Sequence, residues 1–176
     1  MTDAVFPFGS RGYCIALLVL LLSRGADFLS TWVASPNLVL EGNPISKRLG
    51  WLRAGVLNLV VCLFLALWLL PAVIVATMSI LLAARHFQFA WLMRTFGEHN
   101  YREWWLQRLS ETPRALFLFS LVAQSAMMAA LGGALVFFSR LENTVITGIG
   151  MGIICYALAV VLYTLNAAWR NRHVWN

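Results

Sequence analysis

The chain has 176 residues, of which 61% are hydrophobic and only 11% are charged, and its mean hydropathy is +0.77. A soluble domain carries about 25% charged residues, so this composition excludes an ordinary soluble domain and favours an integral membrane protein. The net charge of +6 does not indicate nucleic-acid binding, because most Lys and Arg residues lie in three segments that flank apolar runs.

Five apolar runs are each close to the roughly 20 residues that cross a bilayer. We therefore predict an all-α, polytopic membrane protein with a single transmembrane domain over residues 1–176. The five spans are predicted at about residues 12–33, 52–70, 71–92, 114–138 and 144–169. No polar loop separates the second and third spans. A tight turn at Leu70-Pro71 is preferred to one long helix kinked at Pro71, because that helix would be about twice as long as a bilayer needs.

Basic residues are placed asymmetrically around these spans. Three basic segments follow the first, third and fifth spans, and a five-span topology puts all of them on one side: Lys47, Arg48 and Arg53; Arg94, Arg102, Arg108 and Arg114; Arg170 and Arg172. The other side keeps Arg11 and Arg140. The positive-inside rule then predicts an outside N-terminus and a cytoplasmic C-terminus in a bacterial or archaeal inner membrane. The start of the chain lacks the basic region of a cleavable signal peptide, so we expect the first span to be retained.

The segment at about residues 98–110 has a different pattern. Tyr101, Trp104, Trp105 and Leu109 recur at helical spacing, whereas the charged residues face elsewhere. This pattern predicts a short amphipathic helix that lies in the interface plane, with its aromatic face against lipid headgroups.

Charged or amide side chains occur at about the same depth in four of the five spans. This polar layer comprises Arg24, Asp27, Thr31, Asn58, Arg85, His86 and Gln124. A charge inside hydrocarbon costs roughly 2.5–3.5 kcal/mol on insertion scales, so it usually faces protein or water. One alternative is a neutralised structural network, in which Asp27 is ionised and pairs with Arg24, and Arg85 pairs with Glu41 or Asp27. The other is a cavity open to the cytoplasm for an ion or anionic solute, since guanidinium groups bind carboxylate or phosphate through a fixed fork.

The loop after the first span is predicted to bend sharply at the membrane mouth. Asn43 and Pro44 favour a turn, and Pro44 disfavours helix at the residue before it. Glu41 and Asn43 would then be placed to fold back over the polar layer.

An Asp in the first span, a Thr four residues later and an Asn-Pro turn before the second helix resemble the small bacterial and archaeal membrane proteins grouped as domain of unknown function 5658. The resemblance is carried by Asp27, Thr31, Asn43 and Pro44, and it covers roughly the N-terminal half of the chain. It implies a membrane location. That group often has a Lys in the second span where this chain has Asn58, so a shared charge mechanism is not implied.

Glycines recur in the last two spans. Gly132 and Gly133 lie in the fourth span, and Gly148, Gly150 and Gly152 open the fifth. Small residues let helix backbones approach closely. These faces are predicted either to pack spans four and five against each other or to dock a partner protein.

Motifs for catalysis are missing from the sequence: no nucleophile–base pair, metal-ligand spacing or phosphate-binding loop occurs. No metal or cofactor is predicted; His86 could ligate a haem or chlorin from one side, but a lone helical His is more often hydrogen-bonded to a neighbour. We expect a non-catalytic accessory or structural subunit of a larger membrane complex, with membrane lipids and other membrane subunits or a second copy as partners, and no nucleic acid. The alternatives are a small transporter or channel that uses the polar layer and, third, an intramembrane enzyme that acts on a lipid.

Overall fold

The described part of the chain folds entirely into helices and turns. The computed structural model describes residues 5–40 and 44–171, and the side chains of all of these except residues 44–46. The helices are α1 (Arg11–Ala34), α2 (Pro44–Leu65), α3 (Leu69–Phe96), α4 (Glu98–Glu111), α5 (Arg114–Phe138) and α6 (Thr144–Arg170). Within those residues no strand is present, so the predicted all-α class is confirmed. Five helices are long and apolar enough to span a membrane, namely α1, α2 from Lys47 onwards, α3, α5 and α6.

Local sequence explains several of the helix ends. The Ser10 side chain accepts a hydrogen bond from the Tyr13 N–H and caps the start of α1, and the Asn143 side chain caps α6 in the same way. Gly97 has a φ of +78° and separates α3 from α4, and Gly50 has a φ of +69° and kinks α2. A residue with a side chain is strained in this region of φ, so glycine is the natural choice at both breaks.

The turn between α2 and α3 lies at residues 66–68 and not at the expected Leu70-Pro71. Pro71 instead occupies the first turn of α3, where its missing N–H leaves no hydrogen bond unmade. The N-terminal segment holds the turn in place, because the Phe6 N–H donates to the Leu67 carbonyl at 2.8 Å. Ala66 is fully buried beneath it.

The five long helices are arranged side by side in the order α2, α1, α3, α6, α5, so that α3 lies in the middle. Near one end, the Tyr13 hydroxyl at the start of α1 donates to the Leu63 carbonyl at the end of α2, so these two helices are antiparallel. Gly148 at the start of α6 packs on Val73 at the start of α3, so α3 and α6 are parallel. Consequently α1, α3 and α6 run in one direction, and α2 and α5 run in the other.

This topology brings the basic segments to the same end of the bundle. We call it the basic end; its described cations are Lys47, Arg48, Arg53, Arg94, Arg102, Arg108, Arg114 and Arg170. The opposite end carries Arg11 and Arg140, and Arg172 lies outside the described residues. The asymmetry that motivated a five-span topology is therefore present in three dimensions.

Small side chains allow α3 to occupy the central position. Its buried residues are Ala72, Ala76, Ser79, Ala83 and Ala90, which recur at spacings of three, four or seven along one face. A stripe of small side chains lets neighbouring helix backbones approach closely. The helices are then stabilised by van der Waals contact and by interhelical hydrogen bonds.

The segment expected to lie at the interface forms helix α4. Its Tyr101 and Leu109 side chains are buried against the protein, and the Trp104 ring packs on Phe96 at the end of α3, with ring centroids 5.9 Å apart. Part of the aromatic face is thus used for internal packing and is not available to headgroups, which differs from the expectation of a face wholly against lipid. The position of α4 at a membrane surface stays a prediction.

Candidate functional site

A cavity of about 430 Å³ lies between α1, α2, α3 and α6, in the half of the bundle nearer the basic end. It is the place where the structure brings most of the predicted polar layer together. Its polar lining consists of Arg24, Asp27, Thr31, Arg85, His86, Tyr163 and Thr164. Its other lining residues are Phe28, Leu38, Gly50, Trp51, Ala54, Met78, Leu82, Ala159 and Val160.

Arg24 joins three helices at the floor of the cavity. Its Nε donates to Asn58 Oδ1 on α2 at 2.7 Å. Its Nη1 donates to Asp27 Oδ2 one helical turn along α1 at 3.1 Å, and to Ser79 Oγ on α3 at 3.3 Å. The expected Arg24–Asp27 ion pair is therefore present. It forms part of a larger network, in which Arg24 also binds Asn58 on α2 and Ser79 on α3.

Asp27 lies between this arginine and His86. The Asp27 side chain is only 14% exposed, and its Oδ1 is 3.8 Å from His86 Nδ1. The same ring nitrogen is 3.4 Å from Ser30 Oγ and 3.2 Å from Thr31 Oγ1. Both hydroxyls already donate to the Asp27 backbone carbonyl, so they are left as acceptors. These contacts favour the tautomer in which His86 Nδ1 carries the proton and leave Nε2 as an acceptor.

Arg85 is the cation that this network leaves unsatisfied. Its Nη1 atom is buried, and it has no hydrogen-bond partner in residues 5–40 and 44–171. In the same part of the chain, no carboxylate lies within ion-pairing distance of Arg85. The expected pairing with Asp27 is thus not formed, and the expected pairing with Glu41 falls outside the described residues.

The charges on the described cavity wall therefore do not cancel. Arg24 and Arg85 face a single carboxylate, Asp27, and His86 Nδ1 lies 3.8 Å from the same carboxylate. The wall carries an excess of one positive charge in an apolar bundle. Arg85 is half-buried, and a guanidinium without a counter-ion beside an apolar cavity is unfavourable, so an anionic group in the cavity would stabilise the arrangement.

The segment after α1 covers the basic end of the cavity. Leu38 is buried and lines the cavity at that end, with a φ of +57°. Trp51 Nε1 donates to the Pro36 carbonyl at 2.8 Å, and the Trp51 ring packs edge-on against Phe28. These two contacts attach the start of the loop and the end of α1 to α2.

Glu98, the first residue of α4, holds this cover in place. Its carboxylate accepts four hydrogen bonds, from the Ser35 hydroxyl at 2.9 Å, the Asn37 N–H at 2.9 Å, the Asn37 Nδ2 at 3.1 Å and the Val39 N–H at 3.1 Å. Burial opposes ionisation of this carboxyl, but the hydrogen bonds outweigh it and lower the pKa of Glu98 below its ordinary value. We call these contacts the Glu98 clamp.

Other residues of the predicted site are placed differently. Asn58 does not line the cavity but holds Arg24 from α2. Gln124 is exposed on α5, away from the cavity, so the structure does not bring it into the polar layer. Pro44 is the first residue of α2, whereas Glu41 and Asn43 lie outside the described residues.

Sequence reasoning did not find three of the residues that build the site. Ser79 is fully buried and bonded to Arg24, but a single Ser in an apolar run is an ambiguous signal. Trp51 has the sequence position of an aromatic-belt residue, and Glu98 has that of a surface helix start. The one available signal was that Glu98 directly follows Gly97, which marks a helix start where an acidic side chain is favoured.

The glycine faces are used inside the bundle. A Cβ on Gly150 would lie 2.6 Å from the Gly132 carbonyl oxygen, so these two backbones are in direct contact between α5 and α6. Gly148 and Gly152 face α3 just as closely. Gly133 alone of the five faces open space, because a Cβ added there would meet no atom within 4 Å. Internal packing therefore accounts for four of the five glycines.

Among the residues that the structure describes, no group of three or more His, Cys, Asp or Glu side chains could hold a metal ion. Comparisons with models of known families, with curated proteins and with solved structures found no match to this chain. The resemblance to domain of unknown function 5658 stays a prediction. The assignment of function therefore depends on the cavity itself.

Proposed function

We propose that this protein is an integral protein of a bacterial or archaeal cytoplasmic membrane that binds an anionic group in the cavity between α1, α2, α3 and α6. Its role would be to bind and pass on an anionic solute, which is the transporter alternative from the sequence. The five apolar helices support the membrane location, and the basic end would face the cytoplasm by the positive-inside rule.

The observation that carries the proposal is the buried Arg85 Nη1 with no partner among the described residues. A structural network would satisfy its own donors, because a half-satisfied buried network is less stable than an apolar core. An arginine fork beside an open volume instead matches carboxylate or phosphate. An unpaired buried donor needs an explanation, and a ligand in the adjacent cavity would supply the missing acceptor for Arg85; Ser125 Oγ on α5 is also unpaired within residues 5–40 and 44–171 but does not line the cavity.

The subunit hypothesis keeps its other arguments but loses one that came from helix packing. One of its arguments was a glycine face free to dock a partner, and Gly132, Gly148, Gly150 and Gly152 are occupied by packing between α3, α5 and α6. Only the small patch around Gly133 remains open. Association with other membrane proteins stays a prediction, and the cavity is the stronger basis for a function.

A thermal-stability screen of the purified protein in mild detergent tests the proposal. We expect anions that carry phosphate or carboxylate to raise the melting temperature, and neutral analogues of the same size not to. The increase should be lost in Arg85→Gln and kept in Arg94→Gln. Arg94 is a matched control, because it lies on the same helix but is exposed and stacks over Trp32. If no anion stabilises the protein in an Arg85-dependent manner, the proposal is wrong.

Accessibility labelling tests the orientation. Single cysteines at Lys47 and Arg108 should react from the cytoplasmic side of sealed vesicles, and a cysteine at Arg140 from the opposite side. Labelling of positions 47 and 108 from opposite sides would contradict the five-span topology.

A further inference from the structure

The cavity combines a charged floor with apolar walls. Arg24, Asp27 and Arg85 lie on α1 and α3. In contrast, α2 contributes Trp51 and Ala54, and α6 contributes Ala159 and Val160 beside the uncharged Tyr163 and Thr164. A small hydrophilic anion would satisfy the floor and leave the walls uncovered. A ligand that carries both an anionic group and an apolar chain complements both parts.

One side of the cavity has no helix across it. α2 packs on α1, and α6 packs on α3 and α5, but no packed interface joins α2 to α6 in the part of the chain that the structure describes. Tyr163 on α6 lines the cavity and is nevertheless 43% exposed, so it lies at the rim of this opening. Ala159, one turn earlier on the same face, is partly exposed. In the proposed membrane setting, an opening between two spans faces the lipid phase.

Access from the basic end is more restricted. Leu38 and Trp51 line the cavity there, and the Glu98 clamp together with the Trp51–Pro36 hydrogen bond holds their segment against the bundle. A ligand that arrives from water at that end would meet this segment. A ligand that arrives from the bilayer would not.

We propose that the ligand is an amphiphile with an anionic headgroup, which enters between α2 and α6. Its headgroup contacts Arg85 and its chain passes through the opening beside Tyr163 and Ala159 into the lipid phase. This inference rests on the proposed function, because it assumes that the cavity binds an anion. It adds the class of that anion and the route by which it arrives.

Three probes separate an amphiphile from a soluble anion with the same headgroup. They are dihexanoyl phosphatidic acid below its micelle concentration, glycerol 3-phosphate, and dihexanoyl phosphatidylcholine as the zwitterionic control. Calorimetric titration of the purified wild-type protein should show that phosphatidic acid binds about tenfold or more tightly than glycerol 3-phosphate, since buried methylene groups add to affinity. It should also bind about tenfold or more tightly than phosphatidylcholine, because the choline cation cancels the headgroup charge that Arg85 attracts. This comparison needs no variant.

A variant of the opening gives an independent test. Ala159→Phe fills the rim without altering a charge, and Leu158→Phe is its control, because Leu158 is the next residue and faces outwards. Ala159→Phe should weaken phosphatidic acid about tenfold and leave glycerol 3-phosphate unchanged, whereas Leu158→Phe should change neither.

The outcomes distinguish this inference from the proposed function. Equal Arg85-dependent binding of glycerol 3-phosphate and phosphatidic acid would overturn the amphiphile and keep the anion site. Equally tight binding of phosphatidylcholine would overturn the anionic headgroup. Binding of all probes that is indifferent to Arg85→Gln would overturn both proposals.

Discussion

Glu98 offers the most direct perturbation of the cover over the cavity, and Glu98→Gln is the change with least effect on shape. Two of the four hydrogen bonds of the Glu98 clamp reach Oε1 and two reach Oε2. Glutamine keeps one oxygen, so it preserves one of these pairs at most. Its amide N–H₂ then faces a backbone N–H of the cover, Asn37 or Val39, where two donors oppose each other.

The expected loss of stability follows from the hydrogen bonds that Glu98→Gln removes or weakens. Each hydrogen bond contributes about 1 kcal/mol net, and more with a charged acceptor, although partial exposure of Glu98 screens the charge. The side-chain partners, Ser35 and Asn37, can also accept a hydrogen bond, so one backbone N–H is stranded opposite another donor. The lost bond, the opposed donors and the lost charge together give a loss of about 2 kcal/mol in the free energy of unfolding. For a chain of this size that loss corresponds to a decrease of about 4–8 °C in melting temperature.

Circular-dichroism melts in mild detergent measure this decrease, with Glu111→Gln as the control. Glu111 lies at the other end of α4, is exposed, and pairs with its helical neighbours Arg108 and Gln107. Its change should cost less than about 0.5 kcal/mol. Equal melting temperatures for the two variants would refute the clamp.

The pH dependence provides a second check on the same residue. The folded-state pKa of Glu98 is lowered, so its contribution to stability is fully present above the unfolded pKa, near 4.5. It is lost as the pH falls through the lowered folded pKa. The difference in melting temperature between wild type and Glu98→Gln should be constant from neutral pH to about pH 5 and should shrink in stronger acid. A difference that grows in acid would contradict this assignment.

Two further predictions concern the floor of the cavity and the packing of the bundle. Asp27→Asn should lower the melting temperature more than the double variant Arg24→Ala/Asp27→Ala does. The single change leaves the Arg24 guanidinium without its counter-ion, whereas the double change removes both charges. A lower melting temperature for the double variant would contradict an ionised pair. Gly150→Leu should lower stability by about 3 kcal/mol or more, since its first side-chain carbon already overlaps the backbone of α5, whereas Gly133→Leu should be tolerated. Equal melting temperatures for the two glycine variants would show that Gly150 does not contact the α5 backbone closely.

Depth along a helix could be predicted from the sequence, but the direction in which a side chain faces could not. The shared depth of Arg24, Asp27 and Arg85 follows from their distance to the ends of apolar runs, and the structure brings all three to one cavity. Gln124 has a similar depth on α5 but is exposed, whereas the adjacent Ser125 is buried. Successive residues are about 100° apart around a helix, and only the neighbouring helices decide which of them faces inwards.

Contacts between segments that are distant in the chain also could not be predicted from the sequence pattern. The turn at residues 66–68 contains no Gly, Pro or strongly polar residue, and a hydrogen bond from Phe6 at the start of the chain holds it. Glu98 has the composition of an exposed helix start, and its role depends on Ser35 and Asn37 being brought beside it. Neither feature has a local signature, because the bonded residues in each are far apart along the chain.

The affinity of the cavity for an anion, with and without Arg85, tests the central claim most directly. Calorimetric titration with dihexanoyl phosphatidic acid should show that Arg85→Gln weakens binding about 10- to 100-fold, as expected for the loss of charge-assisted hydrogen bonds. Arg94→Gln should leave the dissociation constant within about twofold, because its exposed charge lies outside the cavity. Unchanged binding in Arg85→Gln, or an equal loss in both variants, would contradict the account.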